Sequence, residues 1–139
     1  MATINAYLTF DGDCREAMTF YRDCLGADLK LMTVGESPVA AQLPVGTHSM
    51  IMHAALTKGP LTLMASDMME QGAALSRGNS MCLMLYCSSE EEIRSYFAKL
   101  SAGGKVMTEL KVEFWGSMYG DVVDKFGTRW MLNYDQPKP

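Results

Sequence analysis

The chain has 139 residues, 48% of them hydrophobic and 20% charged, the make-up of one soluble domain able to bury a core. A formal charge of -4, with lysines and arginines scattered along the chain, argues against nucleic-acid backbones and anionic membrane surfaces as partners. No apolar run approaches the roughly 20 residues of a spanning helix, and the opening MATINAYLTFDGD has neither the basic start nor the apolar centre of a signal peptide, so a cytoplasmic location is expected.

Alternating side chains predict a first strand from Ile4 to Phe10. Asp13, with Glu16 three residues on, marks a helix start, and Ala17, Tyr21, Cys24 and Leu25 recur at helical spacing until Gly26 ends it. A strand from Asp28 to Val34 leads into a loop, Gly35 to His48, which holds Gly35, Pro38, Pro44 and Gly46. It reads either as a mobile flap or partner-contacting arm, or as an uninvolved surface excursion. Strands from Ser49 to Leu56 and Leu61 to Ser66 then meet across the turn Lys58-Gly59-Pro60.

The same plan follows a second time. A strand is expected from Ser80 to Cys87, and a helix starting at the capping box of Ser89 and Glu92 carries Ile93, Tyr96, Phe97 and Leu100 on its buried stripe. Gly103-Gly104 ends that helix. Strands from Lys105 to Leu110, Ser117 to Val123 and Thr128 to Tyr134 complete the unit, the last two joined by Asp124-Lys125-Phe126-Gly127. The repetition is visible in the residues themselves. ADLKLMT from Ala27 returns as AGGKVMT from Ala102, and at that same spacing Glu16 falls on Glu91, Tyr21 on Tyr96 and Leu25 on Leu100.

One β-α-β-β-β unit is too small to close a core alone, whereas two can curl their strands about a shared space. The expected fold is therefore α+β, a single domain over 1–139 built of two tandem βαβββ modules, about 1–76 and about 77–136. Together they would form an incomplete barrel-like sheet around a central cleft. Cys14, Cys24, Cys82 and Cys87 show no C-x-x-C or Cys/His spacing and read as reduced structural thiols. Thirteen methionines are spread through the apolar segments, which suits gap-filling better than the collection of Cu(I).

AYLTFDGDCREAMTFYRDCLGA at the start, MHAALTKGPLTLMASD in the middle and FWGSMYGDVVDKFGTRWMLN near the end resemble the vicinal oxygen chelate superfamily, and within it the PhnB-like branch. That superfamily includes glyoxalases, extradiol dioxygenases, fosfomycin-resistance transferases and bleomycin-binding proteins. The resemblance implies a homodimer. In the enzymatic members it also implies a divalent metal held by His or Gln and Glu side chains on the first and last strand of each module, which stabilises developing enolate or alkoxide charge. Carried onto this chain, those four positions fall on Asn5, Met64, Ser80 or Cys82, and Met131. An amide, two thioethers and a hydroxyl or thiol bring no charge against the dehydration of a hard or borderline divalent ion, so no metal and no cofactor are expected.

Period-two alternation places Tyr7 and Thr9 beside Asn5, Cys82 and Met84 beside Ser80, Thr62 beside Met64, and Arg129 and Asn133 beside Met131. The lining is mostly apolar with a few hydrogen-bonding groups. Trp115 of the FWG turn is a candidate lid, and Arg129 could neutralise a ligand carboxylate or pair with Asp124. His53, in SMIMHAAL, is the best candidate base, and Cys82 is a nucleophile only if a base stands beside it. Two functions follow. One is a metal-free protein binding a small, partly apolar organic molecule through Asn5, Tyr7, Thr9, His53, Met64, Cys82, Trp115, Arg129 and Met131. The other is an enzyme with His53 as catalytic base, or with a metal at a shifted site that includes His53 and His48.

Overall fold

The computed structural model describes residues 1–68 and 74–137. The chain divides into two compact units, Met1–Ser76 and Arg77–Pro139.

In the first unit the strands are β1 (Ala6–Phe10), β2 (Asp28–Thr33), β3 (Ile51–Lys58) and β4 (Leu61–Asp67), with helix α1 (Cys14–Leu25) between β1 and β2. They form one open sheet in the order β1-β4-β3-β2, with β1 parallel to β4 and the other pairs antiparallel. The parallel pair is what a helical crossover permits; β3 and β4 are antiparallel across the tight turn at Gly59, and β2 and β3 across the long loop between Thr33 and Ile51. One sheet face packs on α1. Phe10, Ala54, Leu56, Leu63 and Ala65 are buried there against Cys14, Ala17, Met18, Tyr21 and Leu25.

The N-terminus of α1 is not held as its sequence suggests. Asp13 makes no side-chain cap bond; Asp67, from the far end of β4, does the work instead. One carboxylate oxygen accepts from the N–H groups of Gly12 (2.9 Å) and Cys14 (3.0 Å), and the other from Ile51 N–H (2.8 Å). A single side chain thereby joins the helix start to the first residue of β3. At the other end, Gly26 takes the left-handed conformation (φ 62°) in which its N–H bonds back to Arg22 O. The loop after β2 contains two 3-10 turns, Ala40–Gln42 and Val45–Thr47.

In the second unit the strands are β5 (Leu83–Tyr86), β6 (Lys105–Val112), β7 (Ser117–Val123) and β8 (Arg129–Asp135), with helix α2 (Glu90–Ser101). The sheet order, β5-β8-β7-β6, repeats the first unit, again with its first and last strands parallel. Both sheets are open, and the whole is a mixed α+β fold of two helices and two four-stranded sheets. Ser89 caps α2 by accepting from Glu92 N–H (3.0 Å), while the Glu92 carboxylate reaches back to Ser88 N–H (3.0 Å) rather than to Ser89. Ile93, Phe97 and Leu100 are buried with Met118, Val122, Trp130 and Leu132. Gly120 permits this packing, since a Cβ there would lie 2.6 Å from the Phe97 ring. The turn after β7 is held by Asp124, which accepts from Phe126 N–H (2.8 Å), Thr128 N–H (3.1 Å) and Trp130 Nε1–H (2.8 Å).

Candidate functional site

The strands that build each helix-packed face also present, by their pleat, a second face turned away from the helix. In the first unit it carries Tyr7 and Thr9 of β1, His53 and Ala55 of β3, and Met64 and Ser66 of β4. Register puts Tyr7 beside Met64, Met64 beside Ala55, and Thr9 beside Ser66. Tyr7 is half exposed, and its hydroxyl lies 3.4 Å from Nδ1 of His53, with ring centroids 5.9 Å apart. Four of the expected residues, Tyr7, Thr9, His53 and Met64, thus share one surface. Asn5 is exposed and sits just before β1, which begins two residues later than expected.

His48 is differently placed. Its Nε2 lies 2.9 Å from Ala40 O and 3.2 Å from Leu43 O. Facing two carbonyl acceptors, that nitrogen carries the proton and has no lone pair to give a metal. His48 therefore pins the loop between β2 and β3, helped by Gly35 N–H donating to His48 O (2.9 Å).

In the second unit the matching surface holds Met84 and Tyr86 of β5, Tyr119 and Asp121 of β7, and Arg129, Met131 and Asn133 of β8. Met131 lies between Met84 and Asp121 across the sheet, and Asn133 between Tyr86 and Tyr119. Cys82 precedes β5, which starts at Leu83 rather than Ser80, and its Sγ lies 3.0 Å from Met131 Sδ. Trp115, half exposed at the tip between β6 and β7, meets Phe114 edge-on (4.9 Å between centroids) and Tyr119 at 6.1 Å.

Arg129 does not pair with Asp124, whose carboxylate is taken up by the turn. Its Nη2 lies 3.3 Å from Asp121 Oδ2. Tyr119 donates to the same carboxylate at 3.4 Å. Burial, then the charge and hydrogen bond of Asp121, push the Tyr119 phenol above its ordinary pKa, so it stays a neutral hydroxyl. Asp121 and Tyr119 were not among the expected residues, although parity in β7 separates Ser117, Tyr119, Asp121 and Val123 from the helix-packed Met118, Gly120 and Val122.

A profile of the Glyoxalase/Bleomycin resistance protein/Dioxygenase superfamily matches residues 3–132, and the chain belongs to that superfamily. It is similar to protein YjdN of Escherichia coli strain K12, at 34% identity, covering 98% of this chain and 97% of that one. Among solved structures it is similar to protein PA1353 from Pseudomonas aeruginosa (35% identity, TM-score 0.86, covering 99% of this chain and 100% of that one). It is also similar to a PhnB protein from Bacillus cereus (25% identity, TM-score 0.74, covering 96% and 99%).

The positions that the superfamily resemblance assigns to a divalent metal do not fit one. Met64 and Met131 are thioethers, Asn5 is a neutral amide, and Cys82 lies against Met131. Among the described residues no three His, Cys, Asp or Glu side chains come together as a metal-binding group. Cys82 is nevertheless the accessible thiol of the unit. Burial pushes Cys14 and Cys87 up to about 12, and Cys24 is also buried. Titration with an aromatic disulfide reagent near pH 8 should label one thiol per native chain, lost in Cys82→Ser, and four on denaturation.

Proposed function

We propose that this chain binds a small, partly apolar organic molecule on the sheet faces turned away from α1 and α2, without the divalent metal of its enzymatic relatives. One observation carries the reading: at and around the superfamily's ligand positions those faces present thioethers, aromatic rings and a few hydrogen-bonding groups, the charges of Asp121 and Arg129 compensating each other. Large apolar bodies with a few polar groups are what a ligand site for a neutral organic molecule needs. Asn5, Tyr7, Thr9, His53, Met64, Cys82, Trp115, Arg129 and Met131 are assigned to contact with the ligand. The protein works without a cofactor, in the cytoplasm, as a homodimer, with no nucleic-acid or membrane partner. Among the described residues no helix is long and apolar enough to cross a membrane.

Trp115 supplies the readout, because Trp130 is 2% exposed and Trp115 is 53% exposed. Protein purified without chelator should contain no stoichiometric divalent ion. Neutral ring compounds should change its fluorescence saturably, with EDTA making no difference and Trp115→Phe abolishing the change. Stoichiometric zinc, nickel or manganese, or no saturable binding across a broad panel, would overturn the reading.

A second reading, an enzyme using His53 as base, is favoured by the Tyr7 hydroxyl beside the His53 ring. It requires turnover that His53→Gln abolishes.

A further inference from the structure

The pair Asp121 and Arg129 carries more than an ion pair needs. Asp121 has 6% of its side chain exposed and Arg129 40%, although both stand on the sheet face away from α2. Among the described residues Asp121 Oδ1 and Arg129 Nε are buried without a hydrogen-bond partner, while Asp121 Oδ2 receives both Arg129 Nη2 and Tyr119 Oη. An acceptor and a donor left unmet in one charged pair are costly. Shielded from water, they also discriminate strongly among groups that could meet them. The charges matter as much as the geometry. Arg129 alone would attract a carboxylate or phosphate, but Asp121 cancels its charge and repels a second anion. A neutral group offering a carbonyl oxygen next to an N–H satisfies both partners without that repulsion. Met131, the cross-strand neighbour of Asp121, and Met84 beyond it give the rest of such a molecule an apolar bed.

We infer that Asp121 and Arg129 form the polar end of a ligand site on the second sheet, selecting a neutral carboxamide-type group over a carboxylate of the same shape. The carbonyl accepts from Arg129 and the amide N–H donates to Asp121. This rests on the small-molecule reading above and names the chemical class that such a site takes.

Benzamide and benzoate, two probes of one shape and different charge, separate the possibilities when titrated into the full chain with Trp115 fluorescence as readout. Benzamide should bind about tenfold more tightly or better, the worth of one charge-assisted hydrogen bond. Asp121→Asn keeps the shape but leaves Arg129 uncompensated, so the preference should reverse toward benzoate. A thermal melt close to that of the parent protein shows that the variant is folded. If it is not, Arg129→Gln provides the second test: benzamide loses the bond to its carbonyl, but the uncompensated Asp121 carboxylate repels benzoate more strongly, so both probes weaken and the ratio in favour of benzamide widens. Tighter binding of benzoate by the parent protein, or an unchanged ratio in both variants, overturns the assignment. Failure of both probes while other ring compounds still bind overturns it too and leaves the small-molecule reading standing. Absence of all binding overturns both.

Discussion

Asp67→Ala should lower the unfolding free energy by about 3–5 kcal/mol, since each buried donor deprived of its partner costs about 1–3 kcal/mol and Asp67 serves two, Cys14 N–H and Ile51 N–H, besides the part-buried Gly12 N–H. Two of those donors, Gly12 N–H and Cys14 N–H, lie at the start of α1, where the helix supplies no acceptor of its own. The third, Ile51 N–H, opens β3, and Ile51 itself is 1% exposed. Loss of the carboxylate would therefore free the helix start and the strand start together. Asp67→Asn is not a mild change here. An amide has one acceptor oxygen, so it keeps the pair from Gly12 and Cys14 or the bond from Ile51, and turns an NH2 group toward the N–H it abandons. It should fall between the parent protein and the alanine variant. Asp13→Ala provides the contrast: among the described residues the Asp13 carboxylate accepts only from Asp11 N–H, at 3.3 Å, and it makes no cap bond to α1. Its loss should cost less than about 0.5 kcal/mol, the range of an ordinary surface change. Urea unfolding of the three variants, read as shifts in midpoint at constant slope, decides the matter. Equal losses for Asp13→Ala and Asp67→Ala would show that the helix is capped locally after all.

That contrast shows where the sequence is legible and where it is not. The helices and most strand boundaries can be read because their signals are local: the buried stripe of Ile93, Phe97 and Leu100, the Ser89 cap, and Gly26 in the left-handed region. Asp67 is separated from Cys14 by more than fifty residues, so nothing near Asp13 reveals the true cap. Arg129 illustrates the same limit. Asp124 is nearer in sequence, but its carboxylate is consumed by Phe126, Thr128 and Trp130, and Asp121 on the neighbouring strand takes the guanidinium. Asp121 was within reach of the parity rule that correctly placed Tyr7 with Met64 and Arg129 with Met131 on the faces away from the helices. What the rule could not show is that a carboxylate there would be nearly closed to solvent, because that depends on neighbours brought in by register. The ends of the first strands were overextended for a simpler reason. Asn5 and Ser80 continue the alternation, but β4 pairs with β1 only from Ala6, and β8 with β5 only from Leu83.

Where the echo between ADLKLMT and AGGKVMT breaks, Asp28 and Leu29 are replaced by Gly103 and Gly104, and the two glycines serve different ends. Gly103 has φ 77°, and a Cβ there would touch only the flexible side chain of Lys125 at 3.4 Å. Gly103→Ala should cost about 1–2 kcal/mol, the penalty of a left-handed residue that has gained a Cβ. Gly104 has no such backbone requirement. Its Cβ would run into the Val123 carbonyl oxygen and lie 2.9 Å from the Asp124 Cα, both main-chain groups with no rotamer to yield. Moving them would disturb the Asp124 turn, whose carboxylate holds the Nε1–H of Trp130, a residue only 2% exposed. Gly104→Ala should therefore cost about 3 kcal/mol or more, at the upper end of overpacking penalties. Gly104→Leu, which restores the residue of the first unit, should cost more still, because Leu29 occupies a strand paired in register with Leu56 while β6 meets Val123 only from Lys105 onward. Urea unfolding midpoints in the order parent, Gly103→Ala, Gly104→Ala, Gly104→Leu would support this account. A Gly104→Ala protein as stable as Gly103→Ala would mean that β6 and the Asp124 turn can separate without loss.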